Sequence, residues 1–282
     1  MSATISGKAK LAGVMGWPVS HSRSPRLHNY WLRQHGIDGA YVPLAVAPER
    51  AEQAIRALPA LGFRGANVTL PHKEVAFATM DRLDAVAQRI GAVNTIIVAE
   101  DGTLEGRNTD AFGFLENLRQ GAPGWRAADG PAVVLGAGGA SRAVIVALLD
   151  AGVPQVRLLN RTTARAEQVA GALGGAIEVI GWESRAASLR DAGLLVNTTT
   201  QGMAGQPPLD LVLDELPSTA VVTDIVYTPL VTPLLMEART RGNATVDGIG
   251  MLLHQARPGF EAWFGKAPEV TDDLRRFVLE PA

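Results

Sequence analysis

The chain has no cysteine, which rules out disulfides, thiolate metal sites and a thiol nucleophile, and leaves any redox chemistry to a bound cofactor. Lysine is scarce as well: of 26 basic residues only Lys8, Lys10, Lys73 and Lys266 are lysine, and arginine fills the rest. A formal charge of −2 gives no basic field to draw in nucleic acid or an anionic membrane, so any anion must be met by a local arrangement. Long apolar runs are missing too, none approaching the roughly 18 residues a spanning helix needs. The opening MSATISGKAKLAGVMGWPVSHS sets two lysines before an apolar patch, as a secretory leader does. Gly13, Gly16 and Pro18 interrupt that patch, and no small-x-small cleavage site follows. It reads as a loose tail and a first strand, and the chain as a soluble, cytoplasmic protein.

What is present is an ordinary globular composition, 47% apolar and 19% charged over 282 residues, a length that suggests about two domains. From Lys10 onward short β-rich runs alternate with segments of helical period. LAGVMG, AYVPLAV and GANVTL read as strands. SPRLHNYWLRQHG, with Ser24 as N-cap and Pro25 in its first turn, and ERAEQAIRALPALG read as helices. That order favours parallel pairing, because parallel neighbours need a crossover. NTIIVAEDGTLEGRNTD breaks the pattern with two apolar runs about Asp101-Gly102, a hairpin, so the first sheet is mixed. After the helical FGFLENLRQ and a Gly/Pro-rich lead-in, AVVL, QVRLLN, AIEVI, LLVNTT, VVTDIV and ATVD supply the strands of a second, doubly wound sheet. GIGMLLHQARPGFEAWFG and TDDLRRFVLE then form closing helices that return to the first domain.

GAGGAS, starting at Gly136, follows an apolar strand and opens a helix, the context a dinucleotide-binding turn requires. Gly136 permits the turn, and Ala137, Gly138, Gly139 and Ala140 bring backbone N–H groups toward a pyrophosphate. Ser141 replaces the third glycine, predicting a less tightly packed helix start. The next strand ends in Asn160, not in the acid that accepts from ribose hydroxyls, and continues through Arg161, Thr162 and Arg165. Two guanidiniums beside a neutral amide suit a 2′-phosphate, so the cofactor is expected to be NADP. Thr198, after a later strand, is placed near the nicotinamide, and Gly248 and Gly250 are read as close-approach positions. The five histidines, His21, His28, His35, His72 and His254, lack the i, i+4 spacing of a ligand pair, and no metal is expected.

PVSHSRSP, GANVTLPHKE, GAVNT, GRNTD, GAGGASR, NRTTAR and DGIGMLLHQA occur in the order and at about the spacing of the shikimate dehydrogenase family, which the chain resembles over nearly its whole length. The resemblance implies an α/β protein with an N-terminal mixed-sheet substrate domain, 1–109, completed by C-terminal helices 248–282. A Rossmann-type NADP domain, 110–247, would follow, with the active site in the cleft between the two. It implies that Ser22 and Ser24 hold a substrate carboxylate and that Lys73 and Asp110 are catalytic. Substrate contacts are implied at Thr69, Asn94, Asp110, Tyr227 and Gln255. His72 stands where relatives carry an apolar residue, and is read as tuning the site's charge or facing solvent.

The chemistry explains the isolated lysine. Moving a hydride between a nicotinamide and an alcohol requires a group that takes up and returns the hydroxyl proton; lysine can do so and arginine cannot. The implied activity is NADPH-dependent reduction of 3-dehydroshikimate to shikimate, with a small-molecule partner, no nucleic acid, no membrane, and a monomeric or homodimeric state. Alternatives are a quinate/shikimate dehydrogenase with relaxed or NAD cofactor use, a folate dehydrogenase, and a nucleotide-binding protein without turnover.

Overall fold

The computed structural model describes residues 5–280, which form two compact units. One runs up to Thr109 and resumes at Leu252; the other is Asp110–Met251. The second crossing therefore falls at Met251, inside a helix and beyond the 247 expected from sequence. Residues 1–4 of the expected N-terminal tail lie outside the described residues. Ser6 is tied down, its backbone N–H donating to Asp38 Oδ1 at 3.2 Å.

The first unit holds a six-stranded sheet in the order β2-β1-β3-β5-β6-β4. β1 (Lys10–Gly16) lies parallel to β2 (Gly39–Ala45) and β3 (Phe63–Val68). β5 (Thr95–Val98) runs antiparallel to β3 and to β6 (Leu104–Arg107), which makes the sheet mixed, as the hairpin reading required. Gly102 turns that hairpin at φ +85°, where a side chain would be strained.

α1 (Ser24–Gln34) buries Leu27, His28, Trp31 and Leu32 along one stripe. Its first residue is Ser24 itself: the cap position is Arg23, and no side chain caps the helix, so the expected N-cap role of Ser24 is corrected. The long helix expected over 49–62 is shorter, α2 (Ala51–Ala57). Pro59 has no N–H for the Ile55 carbonyl, which Leu58 takes instead at 3.2 Å. α3 (Lys73–Thr79), β4 (Arg82–Leu83) and α4 (Ala85–Ile90) complete the unit's N-terminal part. They are too short for a helical or strand period to repeat, which is why the sequence pattern passes over all but the start of α3.

The following helix, α5 (Asp110–Gly121), opens the second unit. Its sheet is wholly parallel, in the order β12-β11-β10-β7-β8-β9. The strands are β7 (Ala132–Leu135), β8 (Val156–Leu159), β9 (Ile177–Ile180), β10 (Leu194–Asn197), β11 (Val221–Asp224) and β12 (Ala244–Val246). Counted within the unit this is the 3-2-1-4-5-6 order of doubly wound nucleotide folds, with the switch point between β7 and β10. α6 (Gly139–Asp150), α7 (Thr163–Leu173) and α8 (Pro233–Thr240) connect strands. α9 (Ile249–Phe264) and α10 (Asp272–Leu279) end the described chain.

The described residues from Leu252 onward pack on the first unit. Trp263 donates through Nε1 to the Ile96 carbonyl at 2.9 Å, and the fully buried Trp31 to that of Glu269 at 3.0 Å. Replacing either indole with alanine removes a large buried surface and leaves a carbonyl unpaired, a loss of about 3–5 kcal/mol by area and cavity alone.

Candidate functional site

In the first unit Ser22 and Ser24 follow β1, Thr69 and Lys73 follow β3, and Asn94 directly precedes antiparallel β5, so these segments leave or enter the sheet at the same end. Ser22 and Ser24 lie beyond β1, and the Ser24 N–H donates to Ser22 Oγ at 3.3 Å. Thr69 lies just past β3: its N–H bonds Met15 O at 2.9 Å, and its methyl fills the space beside Gly16, where a Cβ would be 2.5 Å away. Lys73, half-buried, is the first residue of α3. The Val93 N–H bonds the Lys73 carbonyl at 3.1 Å, so the backbone bearing the amine is anchored to the segment preceding β5.

Asn94 is held from several directions. Its Oδ1 accepts from Thr95 Oγ1 at 2.9 Å, from the Thr109 N–H at 2.9 Å and from Thr109 Oγ1 at 3.2 Å. With the oxygen so committed the carboxamide has one orientation, and its NH2 becomes a donor of fixed direction. Asn108 is also buried and donates to Ala92 O at 2.9 Å. Gln255 is half-buried on α9. His72 does not face solvent: it is buried, with Nε2 2.7 Å from Val46 O, so it fastens the start of α3 to the chain after β2. An apolar residue there could not make that bond.

In the second unit Asp110 is buried at the first position of α5, where the helix dipole favours its carboxylate. Tyr227 is half-buried in the segment between β11 and α8. At the switch point Gly136 has φ +107°, and a Cβ there would come within 2.7 Å of Thr198 Oγ1. Thr198 in turn donates to Leu135 O through both Oγ1, at 2.6 Å, and its N–H, at 2.9 Å. Around Gly138 and Gly139 there is open space, and both are exposed at the start of α6. An anion can thus approach the helix N-terminus next to Ala137 and Ala140. The looser helix start expected from Ser141 is not found, because Ser141 is fully buried and its hydroxyl donates to Gly138 O at 2.6 Å.

Asn160, beyond β8, donates to the Thr162 carbonyl at 2.9 Å. Arg161, Thr162 and Arg165 are exposed around the N-terminus of α7, and neither arginine forms an ion pair with a described residue. Two cations at the positive end of a helix are unfavourable unless an anion joins them. The donor set therefore fits a 2′-phosphate, and the segment offers no carboxylate for a free ribose hydroxyl. Gly248 is constrained by the protein itself: a Cβ there would strike Ile225 O at 2.3 Å, and one at Gly250 would strike Asn117 Oδ1 at 1.8 Å. These contacts require glycine at both positions, whatever ligand lies beside them. Among the described residues no three side chains come together as metal ligands, and no helix is long and apolar enough to cross a membrane.

Residues 14–96 match the shikimate dehydrogenase substrate binding domain, and residues 123–204 match shikimate / quinate 5-dehydrogenase. The shikimate dehydrogenase (NADP(+)) of Paramagnetospirillum magneticum is 66% identical over 275 residues, covering 98% of this chain and 100% of the relative. The chain belongs to the shikimate dehydrogenase family. Among family structures, shikimate 5-dehydrogenase from Thermus thermophilus, solved with NADP(H) and shikimate, is 39% identical over 95% of this chain and 98% of its own, with a TM-score of 0.85. Quinate dehydrogenase from Corynebacterium glutamicum, solved with NAD, has a TM-score of 0.88 at 28% identity, over 96% of this chain and 97% of its own.

Sequence reasoning misses the residues that hold this family member's site loops in place. Asp224 Oδ1 accepts from Asn197 Nδ2 and from the Val226 N–H, both at 3.0 Å, and Oδ2 accepts from Thr232 Oγ1 at 2.7 Å. Burial raises the Asp224 carboxyl above its usual range, and these three donors work against that shift. Together they fix the loops bearing Thr198 and Tyr227. Their signal in the sequence is slight: LLVN is an apolar strand ending in one polar residue and VVTD one ending in two.

Proposed function

We propose that the chain is an NADP-dependent shikimate dehydrogenase, reversibly reducing 3-dehydroshikimate to shikimate with NADPH in the shikimate route to aromatic amino acids. The observation that carries this reading is at one end of the first unit's sheet, where the helix begun by Lys73, one of only four lysines in the chain, follows β3 and is tied by its backbone to the segment that carries the oriented amide of Asn94.

Ser22 and Ser24 hold the carboxylate, Thr69, Asn94, Tyr227 and Gln255 contact the substrate, and Lys73 and Asp110 handle the hydroxyl proton. Lys73 can accept that proton as the hydride leaves carbon and return it in reduction. The oriented NH2 of Asn94 binds an oxygen of the ring and sets its angle. NADP, when bound, supplies the hydride acceptor or donor. Gly136 to Ala140 and the α6 N-terminus receive its pyrophosphate, Asn160, Arg161, Thr162 and Arg165 its 2′-phosphate, and Thr198 and Gly248 flank the nicotinamide end. We place the enzyme in the cytoplasm, as a monomer or homodimer.

The test is turnover by purified protein with shikimate or quinate, each with NADP or NAD, followed by the absorbance of the reduced nicotinamide. Preference for shikimate with NADP is expected. Faster turnover of quinate with NAD would favour the quinate/shikimate alternative, and absence of turnover with every pair would sink the reading.

A further inference from the structure

The substrate site described above does not account for a buried polar chain beneath it. Tyr41, on β2, is 2% exposed and donates through its hydroxyl to Asn67 Oδ1 at 2.6 Å. Asn67, on β3, uses its Nδ2 to reach Asn94 O at 3.2 Å and Thr95 Oγ1 at 3.1 Å. Thr95 closes on Asn94 Oδ1. The ring of Tyr41 is itself clamped, stacked on buried His28 with centroids 3.9 Å apart and planes 6° from parallel.

We propose that Tyr41 is a positioning residue for the substrate, its clamped hydroxyl holding the Asn67 carboxamide and, through Asn67 and Thr95, the Asn94 amide for the ring. The inference rests on the shikimate reading, for which Asn94 meets the substrate ring.

The hydrogen inventory supports the assignment. A phenol has one proton, which Tyr41 commits to Asn67 Oδ1, so the Asn67 carboxamide has one orientation and its Nδ2 is the group that reaches Asn94 O and Thr95 Oγ1. Because Tyr41, Asn67 and Thr95 come from strands of one sheet, the position of Asn94 is set by strand geometry rather than by a loop.

The experiment is a double-mutant cycle of Tyr41→Phe with Asn94→Ala, read as KM for shikimate, kcat and KM for NADP. Phenylalanine keeps the stacked ring and removes only the hydroxyl. Tyr41→Phe alone is expected to raise KM for shikimate about two- to tenfold, as for misalignment of one neutral hydrogen bond, with kcat and KM for NADP changed less than about twofold. In the Asn94→Ala background that rise should shrink, because it passes through Asn94; the same fold-change in both backgrounds indicates general loosening and overturns the proposal. An unchanged KM in Tyr41→Phe overturns it too. Should that variant not fold, Asn67→Asp keeps the acceptor for Tyr41 and removes the donors to Asn94 and Thr95; a rise in KM is expected, and wild-type kinetics overturn the proposal. A parent enzyme inert toward shikimate sinks both the functional reading and this inference, whereas an active parent with an unaffected Tyr41→Phe variant sinks this inference alone.

Discussion

Thr198 occupies the space that a side chain at Gly136 would need. A Cβ at Gly136 would sit 2.7 Å from Thr198 Oγ1, and that hydroxyl cannot retreat without giving up its 2.6 Å bond to Leu135 O. The backbone at Gly136, with φ +107°, is also one that L-residues rarely adopt. Gly136→Ala is therefore expected to destabilise the fold by about 1–3 kcal/mol and to weaken NADPH binding together with it. Denaturant melts with and without NADPH check this: a variant with the parental midpoint and cofactor affinity would mean the turn tolerates a side chain.

Arg161 and Arg165 stand exposed where a helix dipole disfavours them. If the 2′-phosphate is their missing counter-ion, Arg161→Ala should raise KM for NADPH about tenfold or more while leaving KM for NADH nearly unchanged. Equal effects on the two coenzymes would assign Arg161 to a solvated helix start.

Lys73→Met keeps the length of the side chain and removes the titrating group. We expect kcat to fall by about two to four orders of magnitude, with a smaller change in KM for shikimate, because what is lost is proton transfer rather than the bulk of binding. Lys73→Arg should not restore the rate, since a guanidinium keeps its proton. Turnover by Lys73→Met at the parental rate would remove the lysine from the mechanism.

The sequence discloses these elements unevenly, and the reasons are physical. Strands such as AVVL and helices such as TARAEQVAGAL announce themselves because burial on one face or both repeats over several residues. α3 and α4 are seven and six residues long, too short for that repetition. The site residues that touch ligand are legible because their types are chemically unusual where they stand, as Lys73 is among arginines. Those that hold the site are not. Tyr41, Asn67, Asn197 and Asp224 each read as one polar residue in an apolar run, and their meaning depends on partners 26 to 28 residues away in sequence, as Asn67 is from Tyr41 and Thr95. His72 shows the same limit, since its partner, Val46 O, belongs to a different strand connection.

His28 gives a prediction about acid. It is fully buried, neither ring nitrogen makes a hydrogen bond of ordinary geometry, and burial pushes its pKa down to about 3, offset only in part by a polar contact with the Asn67 side chain. The unfolded chain, with His28 near the ordinary 6.5, binds the proton over the interval in which the folded chain refuses it. The stabilisation from keeping this ring neutral is therefore complete above about pH 6.5 and is lost as pH falls toward about 3, up to the order of 5 kcal/mol over the full interval. His28→Phe can still stack on Tyr41 but has no proton to bind. Its urea midpoint should fall less steeply than the parent's between pH 7 and pH 4, roughly the window in which the histidine's two states diverge. The other titrating groups are common to both proteins and cancel in the comparison, so parallel pH profiles would mean that the ring is reached by water in the folded chain.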